Sequence, residues 1–170
     1  LLWLAQPART ASTMAVLLAC VTYLGITVAS GALPRLGRRA ALFSVAAGLL
    51  KARDLAGYRG HQVYIRNAAH VPPPVEAVRD MMPALFDLLE SEPQACVRAV
   101  LGHFVFVFTH PYPDGNGRVG RFLMNVMMAS GGYPWTVIPL AERTRYMNAL
   151  EAASVGRDIR PFAELLAELV

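Results

Sequence analysis

His110-Pro-Tyr-Pro-Asp114-Gly-Asn116-Gly-Arg118-Val-Gly-Arg121 is the stretch on which the reading of this chain turns. Apolar runs flank it, Leu101 to Phe108 before and Phe122 to Met128 after. An apolar run that ends in a polar, glycine-rich loop and resumes as another apolar run predicts helix, loop, helix. The loop then lies at the N-terminus of the second helix, where free backbone N–H groups and the helix dipole favour an anion. With that helix starting near Gly117, Arg118, Arg121 and Asn125 share one face. Two guanidinium groups at adjacent heights can clamp successive phosphates. Gly115 and Gly117 let N–H groups approach the anion with no Cβ in the way. Asp114 beside a polyphosphate suits Mg²⁺, which takes one or two carboxylates plus phosphate oxygens. His110 is the group here able to accept a proton at neutral pH. Each residue alone has a plainer role: a capping histidine, an Asp-Gly-Asn-Gly turn, solvated arginines. Together, between two apolar helices, they point to a phosphate site beside a base.

Working outward, the chain of 170 residues is long enough for one domain with a real core, and 55% hydrophobic against 16% charged residues argues against disorder. The formal charge of +4 comes almost wholly from arginine, Lys51 being the lone lysine. No basic block is present, so charge gives no ground for a nucleic-acid partner. Cys20 and Cys96 lie in apolar stretches without metal-type spacing and read as buried, reduced thiols.

Before the loop, residues 14–33 carry no charge and are followed by Arg35, Arg38 and Arg39. The stretch is long enough to cross a bilayer with its C-terminal side cytoplasmic, which would leave the catalytic part in the cytoplasm. Thr22, Thr27, Ser30 and two glycines equally suit a buried helix, and both readings stand. A helical pattern runs from Ala40 to Lys51. In Gln62-Val-Tyr-Ile-Arg66, Val63 and Ile65 alternate with Tyr64 and Arg66, which predicts a short extended segment or hairpin able to pair with another chain. Pro72, Pro73 and Pro74 then introduce a helix to about Glu90. Ser91-Glu-Pro93-Gln94 reads as the capped start of the next, which carries Val97, Val100, Leu101, Phe104, Val105 and Phe108 to the loop. After the loop, helices are expected to Gly131-Gly132, from Ala141 to about Ala153, and from Pro161. The expectation is an all-α domain of six to eight helices with one short strand pair.

The stretch His110 to Arg121 resembles the H-x-F-x-(D/E)-G-N-G-R-x-x-R motif of the Fic domain family, with Tyr112 in place of Phe. Tyr58-Arg59, Gln62-Val63 and His70 to Pro74 look like that family's flap and the segment after it. Gly132-Tyr133-Pro134, Tyr146 and Asp158 to Phe162 look like its C-terminal part. The resemblance covers residues 40–170 and leaves 1–39 unplaced. It implies an all-α Fic fold and transfer of AMP from ATP to a Tyr, Thr or Ser hydroxyl of a target protein, with pyrophosphate leaving. His110 would be the general base and Asp114 would hold Mg²⁺. Gly115, Asn116 and Gly117 would form the anion hole, and Arg118 and Arg121 would hold the β/γ end. The flap, Gln62, Val63, Tyr64, Ile65 and Arg66, would align the target as an added strand. Tyr146 and Ser154 are the candidates for the base pocket. The phosphorylating branch of the family carries Lys where this chain has Gly117, so AMP transfer is the leading expectation. The alternatives are transfer of UMP or phosphocholine, or a non-catalytic nucleotide- or partner-binding module. The inhibitory pattern [S/T]-x-x-x-E-[G/N] does not occur in this sequence, which leaves restraint to a partner, to an upstream helix, or to nothing.

Overall fold

The computed structural model describes residues 57–170. The expectations for residues 14–33 and 40–51, for Cys20, and for a division between residues 39 and 40 lie outside the described residues. Within Gly57–Val170, one compact unit, the first helix, α1, spans Val75–Ser91. Pro74 precedes it in extended geometry, as a residue that cannot continue a hydrogen-bonded ladder should. Its inner stripe is Val78, Met82, Leu85 and Leu89, each about one turn from the next, and Pro83 is tolerated on the exposed side. Ser91 does not open the next helix. The apolar stripe keeps α1 helical through Ser91, whose hydroxyl donates back to Leu88 O at 3.0 Å. The cap-like contact passes to Glu92, which accepts the Gln94 N–H at 2.8 Å.

Helix α2, Ala95–Thr109, runs into the loop, and α3, Asn116–Ser130, leaves it. The buried side of α2 is Ala95, Arg98, Ala99, Gly102, His103, Phe106 and Thr109. The large residues that the sequence placed in the core are half-buried, or exposed in the case of Leu101. The reason is the close approach of neighbouring elements. A Cβ on Gly131 would lie 2.2 Å from the Ala95 Cβ, one on Gly120 2.8 Å from Val107, and one on Gly102 3.1 Å from Leu89. At these three contacts only a small residue fits, while His103 and Phe106 are buried on the same side. The same rotation turns Cys96 outward, so it is exposed rather than buried.

Helix α3 ends at Gly131, and Gly132 at φ 80° turns the chain into an extended strap, residues 133–139. Asn125 holds that strap, donating to Thr136 O at 2.9 Å and accepting from Thr136 N at 2.7 Å. Its side chain therefore belongs to the core and not to the phosphate-facing side with Arg118. A 3-10 turn, Leu140–Glu142, leads into α4, Arg143–Ser154, and then α5, Arg160–Leu169, which has Pro161 in its first turn. Phe162, Leu165 and Leu166 of α5 are buried, and the His103 ring stacks on Phe162 at 5.1 Å.

The segment expected to be a hairpin alternates as read: Val63 and Ile65 are half-buried, Tyr64 and Arg66 exposed. It is extended but unpaired, and no strand occurs among the described residues. Side chains and a tight turn hold it instead. Gln62 Nε2 donates to Pro72 O at 2.8 Å, and Asn67 adopts φ 58° where Ala68 N–H returns to Ile65 O. Among the described residues the molecule is all-α, with five α-helices and one 3-10 turn. None of those helices is long and apolar enough to cross a membrane.

Candidate active site

His110 ends α2 in the left-handed conformation, φ 50° and ψ 57°, a strained geometry for a residue with a Cβ. Buried Arg59, 2% exposed, fixes it there. Its Nε donates to His110 O at 2.9 Å, its backbone N–H to Pro111 O at 2.8 Å, and its guanidinium also to His61 O at 3.2 Å and to Pro73 O. One side chain thus ties the flap and the polyproline segment to the loop. The turned backbone points the ring so that Nδ1 lies 3.1 Å from Val107 O. A carbonyl can only accept, so Nδ1 carries the proton and Nε2 keeps a lone pair. Burial pulls the His110 pKa below the usual histidine value, the Val107 carbonyl opposes this, and the charges of Arg59 and His70 lower it further.

Asn116 staples the loop. Its side chain donates to Tyr112 O at 2.7 Å and accepts from Tyr112 N at 2.9 Å. The amide is therefore spent on the loop itself, and only its backbone N–H remains to offer an anion. Tyr112 is buried against Tyr58 and Phe106 with ring centroids 6.2 Å from each, the packing role expected for an aromatic there. Gly115 at φ 82° starts α3 without any side-chain cap. The first helical bond of α3 is Val119 N–H to Gly115 O, so the N–H groups of Asn116, Gly117 and Arg118 lack helical acceptors.

Asp114 does acquire a counter-cation. Arg118 reaches back to it at 3.2 Å, with side chains 50% and 77% exposed. A pair this exposed contributes at most about 1 kcal/mol, so both groups are free to exchange partners. Arg121 instead borders a cavity of about 170 Å³, together with His110 and Gly117. Phe104, Phe108, Met147 and Leu150 give this cavity apolar walls, and Tyr146 and Ser154 also line it. Tyr146 is hydrogen-bonded to buried His103 Nε2 at 2.8 Å, and the Ser154 hydroxyl donates to Leu150 O at 2.9 Å.

Of the flap residues, Ile65 lines the cavity, whereas Gln62, Val63, Tyr64 and Arg66 do not. His61 is exposed beside the flap. Among the polar residues that line the cavity, sequence reasoning missed His70 and Glu151. His70 donates through Nε2 to Phe108 O at 3.0 Å, and its ring lies tilted against the Phe108 ring with centroids 4.3 Å apart. Glu151 accepts the Ala69 and His70 N–H groups at 2.8 and 3.0 Å through one oxygen. The signal that could have found Glu151 is its helical spacing from Tyr146, Met147, Leu150 and Ser154, a single face of α4. No group of three or more metal-ligating side chains occurs among the described residues.

The model of the Fic/DOC family matches residues 39–128, more than half of the chain. The chain belongs to the Fic/DOC family. It is similar to the protein adenylyltransferase Fic of Drosophila willistoni, 38% identical over 115 residues, and to that of Drosophila virilis, 37% identical over 115 residues. The match takes in 65% of this chain and 22% and 23% of those proteins, so the chain spans about a fifth of the length of the curated relatives it matches. Among solved structures, Fic-1 of C. elegans (residues 134–508) superposes with a TM-score of 0.75 at 24% identity, covering 99% of this chain and 51% of that one. A Fic-domain signalling protein of Bacteroides thetaiotaomicron gives 0.73 at 20% identity, covering 93% and 67%. These share the fold.

Proposed function

We propose that the chain is a protein adenylyltransferase that moves AMP from ATP to a hydroxyl of a target protein. The observation that carries this reading is His110, whose Nδ1 is committed to Val107 O while its ring borders the same cavity as Gly117 and Arg121. A base with a free Nε2 thus stands next to an uncapped helix N-terminus and a guanidinium. In the proposed reaction His110 Nε2 takes the proton of the target hydroxyl, and the hydroxyl oxygen attacks the α-phosphorus. The new O–P bond forms as the Pα–O–Pβ bond breaks, and pyrophosphate leaves with the electron pair. The N–H groups of Asn116 and Gly117 face the charge that develops, and Arg121, with Arg118 once released from Asp114, holds the leaving end. Asp114 fits Mg²⁺, because one exposed carboxylate beside phosphate oxygens is the ligand set that ion ordinarily takes. Bound there, the ion would supply neutralisation of phosphate charge. The extended segment 62–66 is the proposed seat of the target, which would add to it as a strand.

The apolar cavity between the flap and α4 suits a nucleobase and favours a nucleotide donor over a role without one. Labelled ATP incubated with candidate target proteins tests the reading: transfer is expected, and His110→Ala should abolish it. Equal labelling by the variant would sink it. Comparing ATP, UTP, GTP and CDP-choline as donors separates AMP transfer from UMP or phosphocholine transfer. Nucleotide binding without any transfer would favour the regulatory module.

A further inference from the structure

His103 of α2 is a fully buried ionisable side chain, 0% exposed, that the proposed reaction does not use. Its Nε2 lies 2.8 Å from the Tyr146 hydroxyl of α4. That hydroxyl is in turn hydrogen-bonded to Arg121 of α3, whose charge and contact hold back the rise that burial imposes on the phenol's pKa. Tyr146 and Arg121 line the cavity, and His103 does not reach it. The donor roles in this row are forced from its outer end. A guanidinium only donates, so the Tyr146 oxygen accepts from Arg121. The single phenolic proton then goes to His103 Nε2, which must be the bare nitrogen of a neutral ring. Nδ1 carries the ring proton. It closes no hydrogen bond, and the Gly120 carbonyl is what favours a proton there. A Cβ at position 120 would meet Nδ1 and Cε1 at 3.3 Å, so glycine lets the ring come this close. Burial keeps the ring neutral down to about pH 4, and the arrangement holds throughout the neutral range.

Resting on the reading that Arg121 holds the leaving end of the donor, we propose that His103 and Tyr146 are positioning residues that aim the Arg121 guanidinium at the phosphates. Arg121 needs such a hold. Asp114 pairs with Arg118 and not with it, and a long side chain left free loses rotamer entropy when a ligand orders it. Its Nη1 lies 3.4 Å from where a Cβ on Gly117 would sit, so the head folds back over the start of α3. Tyr146 supplies a neutral acceptor at that place. A carboxylate there would fix the guanidinium equally well but cancel the charge that the phosphates need. His103 completes the device by drawing the phenolic proton away from Arg121. Without that acceptor the hydroxyl can turn its proton toward the guanidinium and lose the contact.

The test is calorimetry of the full chain with ATP and with AMP, which lacks the two phosphates given to Arg121. Tyr146→Phe keeps the ring packed against His103 and Phe162. It should weaken ATP binding about tenfold and leave AMP binding unchanged. His103→Leu, which strands the phenolic proton, should act in the same direction. His103→Gln, whose side-chain carbonyl can accept from Tyr146, should restore most of the ATP affinity. In an Arg121→Ala background, Tyr146→Phe should have no further effect on ATP. That cycle decides the matter if AMP binds too weakly to measure or the His103 variants do not fold. Unchanged ATP affinity in Tyr146→Phe, equal loss of ATP and AMP, or losses that add in the double variant overturn the inference and leave Tyr146 as cavity wall. Arg121→Ala that binds ATP like wild type overturns the underlying reading instead.

Discussion

His110 is placed by its backbone before its side chain. The left-handed turn at the end of α2 aims Nδ1 at Val107 O, and that aim assigns the tautomer. Burial lowers its pKa first, and the neighbouring Arg59 charge lowers it further. A depressed histidine pKa means that the neutral, proton-accepting ring survives to lower pH. The acid limb of kcat/KM for transfer should therefore fall below pH 6.5, the ordinary histidine value. Arg59→Gln should move that limb upward, whereas Arg59→Lys, which keeps the charge, should not. Both should lower kcat, because neither can hold the carbonyls of His110, His61 and Pro73 at once. A pH-rate series on the three proteins checks this. Unfolding in urea should show a loss of about 2–4 kcal/mol for Arg59→Gln, from buried carbonyls left unpaired. The motif was legible in sequence because its chemistry is packed into contiguous residues. Arg59 entered only as part of a resemblance, since nothing local says that a single arginine will be buried on four carbonyls drawn from three segments.

At the scale of elements, periodicity found the helices but misjudged which side of α2 is inside. The sequence pointed to its phenylalanines and valines. The packing selected Ala95, Ala99 and Gly102, because α3 and the end of α1 come too close for anything larger. Hydrophobicity ranks side chains one at a time, while close packing is a property of two elements together. On the same buried side, His103, 0% exposed, sits between Tyr146 of α4 and Phe162 of α5. Burial drives its pKa down to about 4. The unfolded chain would bind a proton there near pH 6.5 and the folded one only near 4, so stability is full above pH 6.5 and declines as pH falls toward 4. The span corresponds to about 3 kcal/mol. Urea unfolding between pH 7.5 and 4.5 should show that slope in wild type. His103→Gln, which cannot take up the proton, should be less stable at neutral pH and flatter with pH; an equal slope would remove His103 as the source.

Across the whole molecule, α2 and α3 present the loop, α4 supplies the far wall of the cavity, and the flap borders it through Ile65 alone. Residues 62–65 kept the expected alternation without the expected pairing: their carbonyl and N–H groups have no neighbouring strand among the described residues. The alternation records one inward face, which a lone extended segment shows as well as a hairpin does, so sequence could not tell the two apart. An unpaired edge is what a target strand requires. In an extended segment consecutive N–H groups point to opposite sides. Val63→Pro and Tyr64→Pro therefore remove one N–H from each side, and Pro takes extended geometry without strain. If a target adds as a strand, one of the two should raise the target KM about tenfold and leave ATP affinity unchanged, since neither residue lines the cavity. The other should change little, and its indifference is the informative half. A flap that merely excluded water from His110 would respond alike to both substitutions, through kcat and not through KM.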